Sequence, residues 1–350
     1  MLDTLDERQN DGLGEAARRL AEIANGLRVS QALYVAAELR IADLISHKPL
    51  TGQELAAITE TDASALTRLL RALCAFGVFS EDASGKFNLN MIGEALRSDV
   101  PESFRAAVLF MAGPVRWRCW GELFQTVRTG INRPEAMFGM QLFDFYARHP
   151  SESKIQADAM RALSTSHMNL LVEALPLRGY ETIVDVGGGT GEFLAAILKK
   201  HPGARGILFD LPNVVEQAPM VLAPAGVSDR CEVLAGSFFD TVPDGGDVYL
   251  LKQIIHDWDD KRTVEILRAC RASMTDRASL IVIERRIPEA IGLGTATEPF
   301  LADLEMLVMT PGGRERTEVE VLRLFRQAGL RHVHTVAGAY LALFQADART

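Results

Sequence analysis

Cysteine is scarce in this chain: 350 residues contain Cys74, Cys119, Cys231 and Cys270 and no others. They lie far apart without a CxxC pair, which excludes a disulfide framework and a zinc-finger spacing. No apolar run approaches the ~20 residues of a membrane-spanning helix. The first residues, MLDTLDERQND, are acidic and lack the basic start and greasy stretch of a secretory signal. The expectation is a cytoplasmic protein with reduced thiols and no membrane partner. Positive charge is in deficit, with 37 Lys and Arg against 46 Asp and Glu and a net charge of −9, which argues against nucleic acid as a partner. There is no internal repeat and no flexible linker. What remains is ordinary globular composition, 48% hydrophobic and 24% charged, at a length that suits two domains.

Two textures divide the chain. Residues 14–175 read as almost entirely helical, with one short β interruption. From about residue 180, short β-branched runs alternate with amphipathic helices, the pattern of a parallel α/β sheet. In the first part, Thr51-x-x-Glu54 is a capping box that opens a helix ending near Thr59. A second helix, starting at Asp62 or Ser64, places Leu66, Leu69, Leu70 and Leu73 on one face and stops at Gly77. A small hairpin over Val78–Ser80 and Lys86–Asn88 follows, and helix, helix, hairpin is the order of a winged helix. In the second part, strands are predicted at Thr182–Val186, Gly206–Phe209, Cys231–Leu234, Val248–Lys252, Leu280–Glu284 and Tyr340–Phe344. A helix is predicted over Glu192–Lys200, and the capping box Thr317-x-x-Glu320 opens another that Gly329 closes. The division expected is 1–105 for the winged-helix-like unit, 106–175 for a helical connector, and 176–350 for a Rossmann-like domain.

Asp185-Val-Gly-Gly-Gly-Thr-Gly191 lies between a predicted strand and a predicted helix. Glycines there let the backbone approach a ligand, and the helix start offers free N–H groups. A dinucleotide turn requires G-x-G-x-x-G. Here Gly187 and Gly189 fit, but Glu192 occupies the third position and the next glycine comes early, at Gly191. A pyrophosphate would meet that carboxylate, whereas S-adenosylmethionine has no phosphate and carries a sulfonium cation. Asp210 closes the second strand, placed to hold ribose hydroxyls.

His256 lies just past the carboxyl end of Val248–Lys252, where open α/β sheets bind ligands. Glu284 ends another strand at the same crevice, and Glu315 follows the glycine turn Gly312-Gly313. Asp257, Asp259 and Asp260 read more simply as acids at a helix start. No HxH or HxxxE spacing surrounds His256, so no metal is expected.

Six segments carry a resemblance covering residues 15–345: DVGGGTG (185–191), FDLP (209–212), AGSFF (235–239), LKQIIHDWDD (251–260), VIERRIPE (282–289) and PGGRERT (311–317). In that order and spacing the chain resembles the class I S-adenosylmethionine-dependent small-molecule O-methyltransferases, plant caffeate-type and bacterial natural-product tailoring enzymes. The resemblance implies a winged-helix-like dimerisation domain ahead of a Rossmann-like catalytic domain with a mostly parallel seven-stranded sheet. It implies a homodimer, S-adenosylmethionine as methyl donor, S-adenosylhomocysteine as product, and no metal. Asp185, Gly187, Gly189, Gly191, Asp210 and Leu211 form the implied cofactor set. Phe238 matches the residue that packs on adenine, flanked by Phe239, and Lys252 matches the lysine that approaches the cofactor. Plant members carry Asp where this chain has Ser237, whose hydroxyl can still bond an adenine edge. His256 matches the general base and Glu284 and Glu315 the flanking acids. Neutral imidazole accepts a proton near pH 7, and a carboxylate on its far nitrogen fixes the tautomer. Asp303 and Met306 match the segment lining the acceptor pocket.

Residues 108–160 concentrate aromatics and methionines. Most read as core, but Met111, Phe143 and Met160 suit a lid over a flat aromatic acceptor. The rival reading is a winged-helix transcriptional regulator that binds a small ligand without catalysis, with Arg68 and Arg71 on its recognition helix. Residues 1–105 hold 11 Lys and Arg against 16 Asp and Glu, the wrong sign for phosphate contacts. The stripe Leu20, Ile23, Leu27, Leu33, Val35 and Leu39 reads as a helical interface or core.

Overall fold

The computed structural model describes residues 3–348 except Glu102, Tyr180, Leu293, Ala339 and Tyr340, and for 3–12 and 164–167 the backbone alone. Two compact units result, Met1–Trp117 with Ser151–Ser164, and Arg118–Pro150 with Thr165–Thr350. Residues 106–175, expected as one connector, are shared between them.

The first unit starts with the helix Asp3–Glu38. Thr51 caps the helix Gly52–Thr59: its hydroxyl accepts the Glu54 N–H at 3.2 Å, and the Glu54 carboxylate accepts the Thr51 N–H at 2.8 Å. Asp62 caps Ala63–Ala75 by accepting the Ala65 N–H at 2.7 Å. Leu66, Leu70 and Leu73 then share a buried cluster with Leu55, Phe79 and Phe87. Strands β1 (Leu50–Thr51), β2 (Phe79–Glu81) and β3 (Lys86–Leu89) pair antiparallel in the order β1-β3-β2. Helix, helix and hairpin therefore follow in the expected order. The added strand β1 has only two residues, too few to show a period. The expected apolar stripe divides: Leu33 and Leu39 pack against this core, whereas Leu20, Ile23 and Leu27 remain 55–67% exposed. Arg71 is tied to Glu81 of the hairpin, its Nε at 2.9 Å and its Nη2 at 2.8 Å from the carboxylate.

The second unit is built on β4 (Thr182–Val186), β5 (Arg205–Asp210), β6 (Cys231–Ala235), β7 (Val248–Lys252), β8 (Ser279–Glu284), β9 (Arg331–Ala337) and β10 (Ala342–Asp347). Their order is β6-β5-β4-β7-β8-β10-β9. The run from β6 to β8 is parallel, and β10 pairs antiparallel with both β8 and β9. The apolar runs of β4, β7 and β8 are buried along almost their whole length, as strands covered on both faces must be. Chain order reverses between β4 and β7, so a crevice opens at their carboxyl ends. The last strand starts at Ala342; Tyr340, where it was expected, lies outside the described residues. β9 was not anticipated. Its sequence, RHVHTVA, is largely polar because it is an edge strand with one solvated side. Among the described residues, no helix is long and apolar enough to cross a membrane.

Candidate active site

Between β4 and the helix Glu192–Lys200, Gly187, Gly189 and Gly191 take φ of 72°, 63° and 91°. At Gly187 the need for glycine is double: a side chain would be strained, and its Cβ would stand 2.5 Å from Ile254 Cδ1. The loop is stitched to β5, because the Gly187 N–H donates to the Phe209 carbonyl at 2.8 Å. Asp210 braces it from the next residue, accepting the Gly189 N–H at 2.8 Å and the Leu211 N–H at 2.7 Å. Burial raises the Asp210 carboxyl above its ordinary range. Asp185, near the end of β4, is fully buried, and its Oδ2 has no hydrogen-bond partner among the described residues. Burial pushes it up to about 7 against the pull of Lys252, with Asp210 and Glu192 adding to the rise. Lys252, at the end of β7, is in turn lowered by burial against the attraction of Asp185 and Glu284.

Acids therefore gather around an open glycine loop, which disfavours a phosphate and favours a cationic ligand. The Phe238 ring stands against Gly187, packs edge-on to Phe239 at 4.8 Å, and Phe239 packs on Trp258 at 4.7 Å. The Ser237 hydroxyl is turned onto its own loop, accepting the Phe239 N–H at 3.2 Å. Leu211 is exposed.

His256 sits in the short turn Ile255–Asp257 that follows β7. Arg316, almost fully buried, fixes that turn: its Nη1 donates to the Ile255 carbonyl and its Nη2 to the Trp258 carbonyl, each at 2.7 Å. From below, one oxygen of Glu284 accepts the N–H groups of Ile254 and Ile255 at 2.9 and 2.8 Å. Replacing Arg316 by Met is expected to cost about 3 kcal/mol, because two buried carbonyls and Asp260 lose a charged donor. Chemical denaturation of the two proteins reads that difference.

The imidazole is held on all sides by carboxylates. Nδ1 lies 3.1 Å from Glu315 Oε1 and 3.3 Å from Glu284 Oε2, and Nε2 lies 3.7 Å from Asp257 Oδ1. A carboxylate only accepts, so Nδ1 carries the hydrogen and Nε2 the lone pair of the neutral ring. Burial alone would lower the His256 pKa, but Glu284, Asp257 and Glu315 together lift it to about 10. Burial also drives the Glu284 carboxyl up to about 7. The three acids thus make the ring hold a proton more firmly than an ordinary imidazole, against the opposing effect of burial.

Asp257 is a correction. Asp259 does cap the helix Asp260–Ser273, accepting the Arg262 N–H at 2.8 Å, and Asp260 lies in its first turn. Asp257 precedes that helix and faces His256 instead. Burial raises its carboxyl, opposed by the imidazolium. Its adjacency to His256 in sequence was the one available signal. His256, Glu284 and Glu315 bring ligand-type atoms within 4.8 Å of one another, a closeness invisible in their linear spacing. The Nδ1–Glu315 hydrogen bond and the paired N–H groups on Glu284 account for that proximity.

Asp303 reaches the same centre, its Oδ1 accepting the Glu315 N–H at 2.9 Å. It lies on the helix Glu298–Met309, as does half-buried Met306. Trp120 donates to Glu305 of that helix at 2.6 Å. Phe143 belongs to the second unit and Met111 and Met160 to the first, and each side chain is 40–57% exposed. Phe145 and Tyr146 are buried and belong to the core.

Residues 120–331 match the model of the O-methyltransferase domain, and residues 21–98 that of the O-methyltransferase dimerisation domain. The chain is 40% identical over 313 residues to the phenazine O-methyltransferase PhzM of Lysobacter antibioticus, with 89% of each chain covered. It is similar to the solved mitomycin 7-O-methyltransferase MmcR at a TM-score of 0.90 and 33% identity, covering 97% of this chain and 100% of the other. It is also similar to NcsB1, an O-methyltransferase from neocarzinostatin biosynthesis solved with S-adenosylmethionine and 2-hydroxy-5-methyl naphthoic acid. There the TM-score is 0.78 and the identity 31%, over 91% of this chain and 95% of that one. The protein belongs to the S-adenosylmethionine-dependent O-methyltransferase family and carries that family's dimerisation domain. Membership in an enzyme family removes the alternative of a non-catalytic regulator, consistent with Arg71 being tied to Glu81.

Proposed function

We propose that the protein methylates a phenolic hydroxyl of a small aromatic natural product, with His256 as general base. The observation that carries this is the Nδ1–Glu315 pair, which commits one ring nitrogen while Nε2 has the Asp257 carboxylate no nearer than 3.7 Å. When bound, S-adenosylmethionine supplies an electrophilic methyl group; Asp210 and the glycine loop would hold it, with Asp185, Leu211, Phe238, Phe239, Lys252 and Ser237 around it. The acids near that loop suit its cationic sulfonium. Ionised Asp185 favours a cation and the protonated form does not. Affinity for S-adenosylmethionine is therefore expected to fall as pH drops below about 7. S-adenosylhomocysteine, which lacks the sulfonium charge, should respond less. Calorimetry with both ligands at roughly pH 6 and 8 checks this.

A phenol with a pKa near ~10 meets an imidazolium of similar acidity, so the pair must shed one proton in total before transfer. The carboxylates then favour imidazolium with phenolate, and the cation holds the oxygen anion in place. Methyl transfer from labelled S-adenosylmethionine to a panel of hydroxylated naphthoates and phenazines tests the reading; methyl on carbon or nitrogen alone, or none at all, contradicts it. Asp303 and Met306 are the proposed lining of the acceptor pocket, with Phe143 of the same unit as part of its lid. The four cysteines are free thiols, which supports a reducing cytoplasmic setting.

The finer reading of the dimerisation domain is a homodimer through the first helix, supported by the exposure of Leu20, Ile23 and Leu27. Light scattering should give about twice the chain mass. The double substitution Leu20→Glu with Ile23→Glu should give monomers; an unaltered dimer would contradict the reading.

A further inference from the structure

Among the described residues, two nitrogens approach oxygen Oε1 of Glu315. His256 Nδ1 stands 3.1 Å from it on one side and Arg285 Nη1 3.5 Å on the other. Arg285 follows Glu284 directly at the end of β8, is largely buried, and donates through Nε to Glu298 Oε1 at 2.8 Å. Glu298 opens the helix whose Asp303 takes the Glu315 N–H. That helix thus grips Glu315 twice, by the backbone through Asp303 and by the carboxylate through Arg285.

We propose that Arg285, braced by Glu298, is a positioning residue that shares the charge of Glu315 and so decides how firmly His256 holds its proton. The catalytic consequence rests on His256 being the base. Glu284, Asp257 and Glu315 face the imidazole; Lys252 and Arg316 bear on Glu284, and Asp303 lies behind Glu315. Arg285 bears on Glu284 as well and, besides His256, is the cationic side chain at the Glu315 carboxylate among the described residues. Three carboxylates with no counter-ion there would lock the proton on the ring. With Arg285 at its back, Glu315 orients the ring and still lets it exchange a proton with an acceptor. Glu298 acts in the opposite sense, because its own charge offsets that of Arg285.

The test uses full-length protein with labelled histidine, saturated with S-adenosylhomocysteine. The His256 resonance is identified by its loss in His256→Ala, and the ratio of neutral to charged ring is read by NMR at fixed pH near ~9.5. In Arg285→Gln that ratio should fall about tenfold, in Arg285→Lys it should stay within about twofold, and in Glu298→Gln it should rise about two- to threefold. Opposite signs at the two partners are what a purely structural role would not produce. An unchanged ratio in Arg285→Gln, or shifts of the same sign in both variants, overturns the proposal. If Arg285→Gln does not fold, Glu298→Gln decides alone: its side chain is half exposed, and an unmoved or lowered ratio overturns the proposal. No acceptor is needed, so the outcome is independent of whether His256 proves to be the base.

Discussion

His256→Ala is expected to lower methyl transfer by about 10²–10⁴-fold at neutral pH while leaving affinity for S-adenosylhomocysteine within about twofold. The separation follows from the layout. The ring hydrogen-bonds to Glu315, whereas the glycine loop is braced by Asp210 and the Phe209 carbonyl. Glu284→Gln should cost less, because the base itself remains in place. Its amide oxygen can still accept the Ile254 and Ile255 N–H groups, but the charge that steadies the imidazolium is gone. Rapid-quench assays with labelled methyl donor, alongside calorimetry, separate the turnover loss from any change in binding.

Asp210→Ala should have the reverse signature. The loop N–H groups of Gly189 and Leu211 lose their acceptor and, in the proposed role of Asp210, so do the ribose hydroxyls; affinity for S-adenosylhomocysteine should then fall about 10²-fold. Turnover at saturating donor should change far less than in His256→Ala. A variant whose affinity stays within a few-fold of the parent would show that Asp210 serves only the loop.

The parallel sheet was legible because β4, β7 and β8 are continuous apolar runs between turn signals, and Thr51 and Thr317 announced their helices by capping boxes. Edge strand β9 and the two-residue β1 were not, since neither carries a buried period long enough to read. The glycine loop was legible from its glycines and its acid, and His256 only as a residue at a strand end. What the sequence could not show is electrostatic and three-dimensional. Glu315 lies 59 residues from His256 and yet accepts its hydrogen bond. Asp257 turns toward the ring instead of the following helix, and three acids raise the proton affinity of the imidazole against its burial. Arg285 was hidden for the same reason: its importance lies in which oxygen it shares.

The account turns on His256 keeping the one proton it shares with the phenol, and the pH dependence of turnover at saturating donor and phenolic acceptor tests that most directly. In the parent protein the imidazolium stabilises the phenolate, so turnover should rise with pH and level off below the phenol's own pKa of ~10. In His256→Ala that stabilisation is gone: turnover should keep rising until solution ionisation of the phenol is complete, and the gap to the parent should narrow at high pH. Profiles that coincide in height and shape would contradict the account, leaving His256 a structural residue and the enzyme working by proximity alone.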